Sequence, residues 1–279
     1  TLKETKNIDL DIIECSADGV INVEDFRNAI KPNTKLVALT HASNVIGSIQ
    51  PLEEIGKICK EKNIYFIIDS AQSAGAIPVD FYKIGCNALT FTGHKSLLGP
   101  QGIGGFLIDD ALNKEALPFI EGGTGSLSQS IIQPDFLPDK FESGTLNAPG
   151  IAGLLSGINY IMKEGITAIQ EKEQELCQHF INELLNIPSI KVYGFKDAAL
   201  RTPTISINSS KINNAELGFI LDREYGIMSR TGLHCAPLAH KTMGTFPEGT
   251  LRFSLGPFND KKDINYALHA LNSIIKGCD

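Results

Sequence analysis

The run Lys35-Leu36-Val37-Ala38-Leu39-Thr40, the helical pattern over residues 51–61 and the run Ile64-Tyr65-Phe66-Ile67-Ile68-Asp69 decide the fold. Two short apolar stretches rich in β-branched residues flank an amphipathic one, and Pro51 falls at a first-turn position where a missing N–H costs nothing. This is the pattern of a βαβ unit. The near-continuous apolarity of 64–68 predicts a strand covered on both faces, as parallel sheets require. Working outward, further short strands are expected at 88–91 and 103–108, and 8–13 reads as the entry to a strand. In such sheets ligands bind beyond the carboxyl ends of the strands, where Asn44, Asp69, Gln72 and Lys95 fall.

Residues 122–149 are rich in Gly, Ser and Pro and lack periodicity, which predicts a long functional loop that crosses a subunit boundary. Helical patterns resume at 151–162 and 166–185, and a change of domain is expected near Lys163. Beyond it come strands at 190–193 and 204–208, a helix over 215–224 closed by Gly226, a strand at 251–254 and a terminal helix ending before Gly277. The expected architecture is α/β. A large domain with a mainly parallel sheet (1–162) precedes a smaller α+β domain (163–279).

A 279-residue chain with 42% hydrophobic residues has enough material for one large or two moderate cores. Its net charge of −7 and pI near 5.4 argue against nucleic acid as a partner, and its lysines are scattered among acids. No stretch has the length and apolarity of a membrane span, and the first residues lack the apolar core of a signal peptide, so a cytoplasmic location is expected. The six cysteines, at 15, 59, 86, 177, 235 and 278, read as dispersed reduced thiols. The chain begins with Thr1, not Met, and an N-terminal portion is expected to precede it.

Five ordered segments carry chemistry: Thr40-His41-Ala42-Ser43-Asn44-Val45-Ile46-Gly47, Asp69-Ser70-Ala71-Gln72, Thr92-Gly93-His94-Lys95, Phe141-Glu142-Ser143-Gly144-Thr145 and Arg230-Thr231-Gly232-Leu233-His234-Cys235-Ala236. A lysine amine forms Schiff bases, and a strand-end carboxylate can pair with a pyridine nitrogen, an arrangement that suits pyridoxal phosphate. Together the segments resemble cysteine desulfurases of the class V aminotransferase family, over nearly the whole chain. The Arg-Thr-Gly-Leu-His-Cys form is similar to the branch related to selenocysteine lyases.

The resemblance implies a fold-type I transferase with an incomplete large domain, and a role for each residue. Lys95 would bind pyridoxal 5'-phosphate covalently and move protons at the substrate, which requires a neutral amine and so a pKa below about 10.4. Asp69 would keep the pyridine nitrogen protonated. Gln72 and Asn44 would sit by the phenolic oxygen, Asn44 also by the substrate carboxylate, and Thr92 and His94 would bind phosphate. Thr145 would reach the phosphate of a neighbouring subunit, which implies a homodimer. Cys235 would take the sulfur of cysteine, or the selenium of selenocysteine, for delivery to an acceptor protein. A thiolate is needed, and Arg230 or His234 are expected as helping cations. Arg252 would clamp the substrate carboxylate with a two-point fork, with Arg230 beside it.

Taken one at a time these residues have plainer readings. Lys95 reads equally as a surface cation, Asp69, Gln72 and Asn44 as turn residues, His94 as a core histidine, Cys235 as a small hydrophobe and Arg252 as half of a surface ion pair. His234, Cys235 and His240 lack a partner cluster of zinc-like spacing, so no metal is expected. The chain shows neither the Gly-Thr phosphate loop nor the ring-stacking histidine of the family, which leads to an expectation of weak or absent cofactor binding and an inactive fragment. Two alternatives stay open: a class V aminotransferase acting on another small amino acid, and a non-catalytic binding or scaffold protein.

Overall fold

A computed structural model describes residues 2–5, 8–123 and 125–278. In chain order the elements are α1 (Leu2–Thr5), α2 (Val23–Ala29), β1 (Leu36–Thr40), α3 (Leu52–Glu61), β2 (Tyr65–Asp69), α4 (Phe81–Ile84), β3 (Ala88–Thr92), β4 (Gly104–Ile108) and α5 (Asp110–Glu115). Then follow α6 (Ala148–Glu164), α7 (Ile166–Leu185), β5 (Ile190–Val192), β6 (Thr204–Ser209), α8 (Asn214–Tyr225), β7 (Arg230–Gly232), α9 (Pro237–Thr242), β8 (Thr250–Ser254) and α10 (Lys261–Lys276).

The first sheet has the order β1-β2-β3-β4, with β1, β2 and β3 parallel and β4 antiparallel at its edge. The mainly parallel α/β sheet expected from sequence is present. Its register aligns Thr40 with Asp69 and Asp69 with Thr90, so the carboxyl ends of three strands open onto one region. Leu52, Ile55, Ile58 and Cys59 of α3 pack on Phe66, Ile68 and Leu89, a single apolar core on one face.

Two expectations are corrected here. On the opposite face Tyr65 and Ile67 are only half-buried and Leu36 is exposed, so β2 is covered on one face instead of two. The crossover helix α3 lies on one side, and α6 rests on the turn after β3. Residues 8–13 form no strand: Ile8, Leu10 and Ile12 are exposed, and the nearest pairing is a single bridge from Cys15 to Ile21. Alternating apolar and acidic residues suffice for a strand only beside a ladder partner, and Asp11 is drawn instead to Lys31, 2.7 Å away.

The second sheet is antiparallel throughout, with the order β5-β6-β8-β7. Its core joins Phe180, Ile181 and Leu184 of α7 to Ile205, Ile207, Leu217, Leu251, Phe253 and Leu271. Local signals match these elements. Asn213 caps α8 through the Glu216 N–H, Gly226 closes it at φ 66°, and Asp260 and Asp263 form a capping box on α10. The elements missed in the sequence, α1, α2, α4, α5, α9 and β7, run three to seven residues, too short for periodicity to register.

Backbone contact fixes the turn that carries Lys95. A Cβ on Gly75 would stand 2.4 Å from the Ser96 carbonyl oxygen, and one on Gly157 of α6 would stand 2.2 Å from that of Leu97. Both glycines allow main chain to meet main chain, so the turn is gripped from two sides. Within it, Leu98 N–H donates to the Lys95 carbonyl and Gly99 N–H to that of Gly93.

The loop after β1 is bound to the second sheet in a similar way. Thr202 N–H donates to the Gly47 carbonyl at 2.9 Å, and Ile49 N–H to that of Leu200 at 3.2 Å. Between these contacts the fully buried Arg201 donates through Nη1 and Nη2 to the carbonyls of Tyr193, Phe195 and Thr204, which partners both terminal nitrogens of a guanidinium that pairs with no carboxylate among the described residues, while its Nε stays without a partner.

Glu173 on α7 is 3% exposed, and one of its carboxyl oxygens has no partner. Burial pushes its pKa up to about 8. Because the folded value lies above the unfolded one, its favourable contribution is complete below the unfolded value near 4.5 and is lost as pH rises through 8. Glu173→Gln should therefore gain stability over the parent between pH 5 and 8.5, by on the order of 1–3 kcal/mol in urea unfolding. A pH-independent difference would contradict this.

Candidate active site

Four loops supply the site. Asp69 ends β2, and its Oδ1 accepts from the Ala71 N–H at 2.9 Å, which shapes the turn leading to Gln72. Thr92 ends β3 and is followed by His94 and Lys95 in the clamped turn. Gln72, Thr92 and His94 engage no side-chain partner among the described residues, so their polar groups are not used up by the fold. Partial burial pushes the Lys95 amine below the usual lysine value, the nearby Asp69 carboxylate opposes that shift and the Arg252 guanidinium adds to it. The direction is the one required of a lysine that must lose a proton.

Asn44 links this region to the second sheet. Its Nδ2 donates to the His234 carbonyl at 2.6 Å, and its own carbonyl accepts from Arg252 Nη1 at 2.7 Å. Arg252 on β8 lies directly opposite Arg230 on β7. Burial lowers the Arg252 pKa and the neighbouring Arg230 lowers it further, while its buried Nε finds no partner. Two like charges facing each other across a strand pair are unfavourable unless an anion comes between them. The surface ion pair considered for Arg252 is absent: it is half-buried and meets a carbonyl.

Cys235 is exposed, and Arg230 Nη2 approaches its sulfur at 3.7 Å, a contact that a thiolate would strengthen. His234 and Cys235 both adopt left-handed backbone, at φ 50° and 61°, a conformation costing roughly 1–2 kcal/mol per residue. The expectation that His234 acts as a helping cation is corrected. Its ring is 3% exposed, and burial, with Arg252, His240 and Arg230 nearby, pushes its pKa down to about 4. It is neutral near pH 7, so Arg230 is the cation beside the sulfur.

Lys95, Asp69, Asn44, Arg252, Arg230 and Cys235 are thus joined by contacts or by mutual charge. Thr145 is not among them. It lies exposed on the irregular stretch between α5 and α6, where Leu117, Phe119, Ile120, Ile131 and Ile132 are strongly exposed. Sequence reasoning missed Ser206 and Thr250, two buried hydroxyls behind the Cys235 loop; strand serines and threonines carry no spacing signal that marks them.

The aminotransferase class-V family model matches residues 1–267, and the chain belongs to that family. Among its relatives, a probable cysteine desulfurase of Pyrococcus abyssi is 34% identical over 284 residues, covering 99% of this chain and 68% of that protein. A second, from Methanothermobacter thermautotrophicus, is 32% identical and covers 96% and 68%. The apo structure of a cysteine desulfurase from Thermococcus onnurineus superposes with a TM-score of 0.90 at 32% identity, covering 96% of this chain and 66% of that one. The chain therefore spans about two thirds of the length of these relatives.

Pyridoxal phosphate is the cofactor of this family, and the donor set fits it. A lysine with a lowered pKa, a strand-end carboxylate within its field and unengaged polar groups on Thr92, His94 and Gln72 stand at adjacent strand ends. Among the described residues no helix is long and apolar enough to cross a membrane.

Proposed function

We propose that this chain carries the active-site machinery of a pyridoxal-phosphate cysteine desulfurase, converting L-cysteine to L-alanine and holding the sulfur on Cys235. The observation that carries this reading is the exposed Cys235 thiol with Arg230 at its sulfur and, opposite Arg230, an Arg252 whose charge bears on Lys95.

Lys95 would bind the cofactor, Asp69 its pyridine nitrogen, Gln72 and Asn44 its phenolic oxygen, and Thr92 and His94 its phosphate. When bound, the cofactor supplies an electron sink for charge developing on the substrate α-carbon. Arg252, with Arg230 and Asn44, orients the substrate carboxylate as a planar fork can. Lys95, its amine held below the usual lysine value, takes and returns the proton at the α-carbon. Asp69 keeps the proton on the ring nitrogen. The Cys235 thiolate attacks the substrate sulfur, a sulfur–sulfur bond forms and the Cβ–S bond breaks. The electron pair stays with the carbon skeleton, which takes up a proton and leaves as alanine. Selenocysteine would react in the same way with selenium, and a partner thiol would relieve Cys235 of its sulfur.

The two sheets and their separate cores give physical content to a division into 1–162 and 163–279. The exposed apolar stretch beside Thr145 favours a homodimer in which Thr145 serves the partner's phosphate. The 279 residues alone are proposed to bind the cofactor weakly, because Thr92 and His94, with Thr145 of the partner subunit, are the phosphate donors proposed for them. Titration with pyridoxal phosphate followed by absorbance should show weak binding, and tight binding would reject the idea.

In the protein that carries this chain, Cys235→Ser should abolish sulfur release from cysteine, at least 100-fold, while retaining the bound cofactor's absorbance, since removing a nucleophile forfeits a whole step. Lys95→Ala should lose both turnover and the covalent adduct trapped by borohydride. Sulfur release by Cys235→Ser at the parent rate would reject the desulfurase assignment in favour of a transaminase.

A further inference from the structure

Behind Cys235 runs a chain of side-chain hydrogen bonds whose direction is fixed. Ser206 Oγ on β6 lies 2.6 Å from the Val45 carbonyl, which only accepts, so the one proton of Ser206 goes there. Thr250 Oγ1 on β8, 3.0 Å from Ser206 Oγ, must then donate to it. His234 Nε2 lies 3.1 Å from Thr250 Oγ1, whose proton is already committed, so Nε2 is the donor and carries the ring proton. Nδ1 is left as a bare acceptor, buried and without a partner among the described residues. Ser206, Thr250 and His234 are all buried, so water does not compete for these bonds.

A second link closes the circuit. Asn44 Nδ2 donates to the His234 carbonyl, and Asn44 immediately precedes Val45. The relay thus leaves and returns to the same dipeptide in the loop after β1, with the left-handed His234–Cys235 pair between its ends. A local turn bond, from the Ala236 N–H to the Leu233 carbonyl at 2.8 Å, closes around this pair of non-glycine residues, and the bonds to the His234 ring and carbonyl add to it.

We infer that Ser206 and Thr250 are positioning residues: the ordered relay from Val45 to His234 holds the ring as its Nε2–H tautomer and fixes the turn that presents Cys235 to the site built around Asn44. This rests on the reading of Cys235 as the sulfur-accepting nucleophile. Substrate would be gripped by Arg252, whose place on β8 is set by the ladders to β6 and β7 and not by the Thr250 hydroxyl. Loosening the relay should therefore slow sulfur transfer without weakening substrate binding.

The test compares Thr250→Val, which keeps the shape and removes the hydroxyl, with Thr250→Ser, which keeps the hydroxyl, in the cofactor-loaded protein that carries this chain. Thr250→Val should lower kcat for alanine release about tenfold with KM for cysteine unchanged, and Thr250→Ser should stay near the parent, as expected for misplacement of one reacting group. Nitrogen-15 spectra should show the His234 proton on Nε2 in the parent from pH 6 to 8, and a mixture of tautomers in Thr250→Val. Equal damage by valine and serine, parent-like turnover of Thr250→Val, or a parent proton on Nδ1 would overturn the proposal. If Thr250→Val does not fold, Thr250→Ala makes the same comparison. Should even the parent release no alanine, the desulfurase reading fails; the tautomer, together with the alkylation rate of Cys235 by iodoacetamide, still decides the relay.

Discussion

Main chain packed against main chain at the Lys95 turn is the constraint on which the rest of the site depends. Gly75 from the loop after β2 and Gly157 from α6 press on the carbonyls of Ser96 and Leu97 at distances that leave no room for a Cβ. A lysine has four flexible side-chain bonds, so its reach is set by where its Cα is held. Here that point is fixed by covalent backbone, the stiffest material available. Asp69 and Arg252 then act on an amine of defined position, Asp69 raising and Arg252 lowering its pKa, while desolvation, the largest cause, lowers it.

The second sheet contributes through a different kind of contact. It holds the loop after β1 by hydrogen bonds from Thr202, Ser206 and Arg252, and it carries the facing pair Arg230 and Arg252. Such a pair is poised for an anion, and its repulsion is tolerated because Asn44 and the Cys235 sulfur each take one guanidinium contact. The site therefore lies between a rigid turn that holds an amine and a polar loop that holds a thiol.

Much of this was legible in the sequence because the relevant signals are local. The strands at 36–40 and 65–69 follow from apolar runs, and Gly226 marks the end of α8 by the conformation it alone adopts cheaply. Residues 8–13 show the limit: their alternation is genuine, but pairing is decided by a neighbour that no local pattern encodes. The same holds for charge. His234 looks like a cation in the motif, yet burial in the fold and the Arg252 guanidinium, 18 positions later, push its pKa down. The hydroxyl relay was invisible for the same reason, since Ser206, Thr250 and Val45 meet only once both sheets are folded.

Amide hydrogen exchange across residues 93–99 tests the clamped turn most directly. The Leu98 and Gly99 amides, bonded to Lys95 and Gly93, should exchange as slowly as those of β2 and β3, opening only with the sheet itself. Exchange at the rate of the exposed stretch between α5 and α6 would show that the turn is held by its own short bonds alone, and that the backbone grip of Gly75 and Gly157 does not position Lys95.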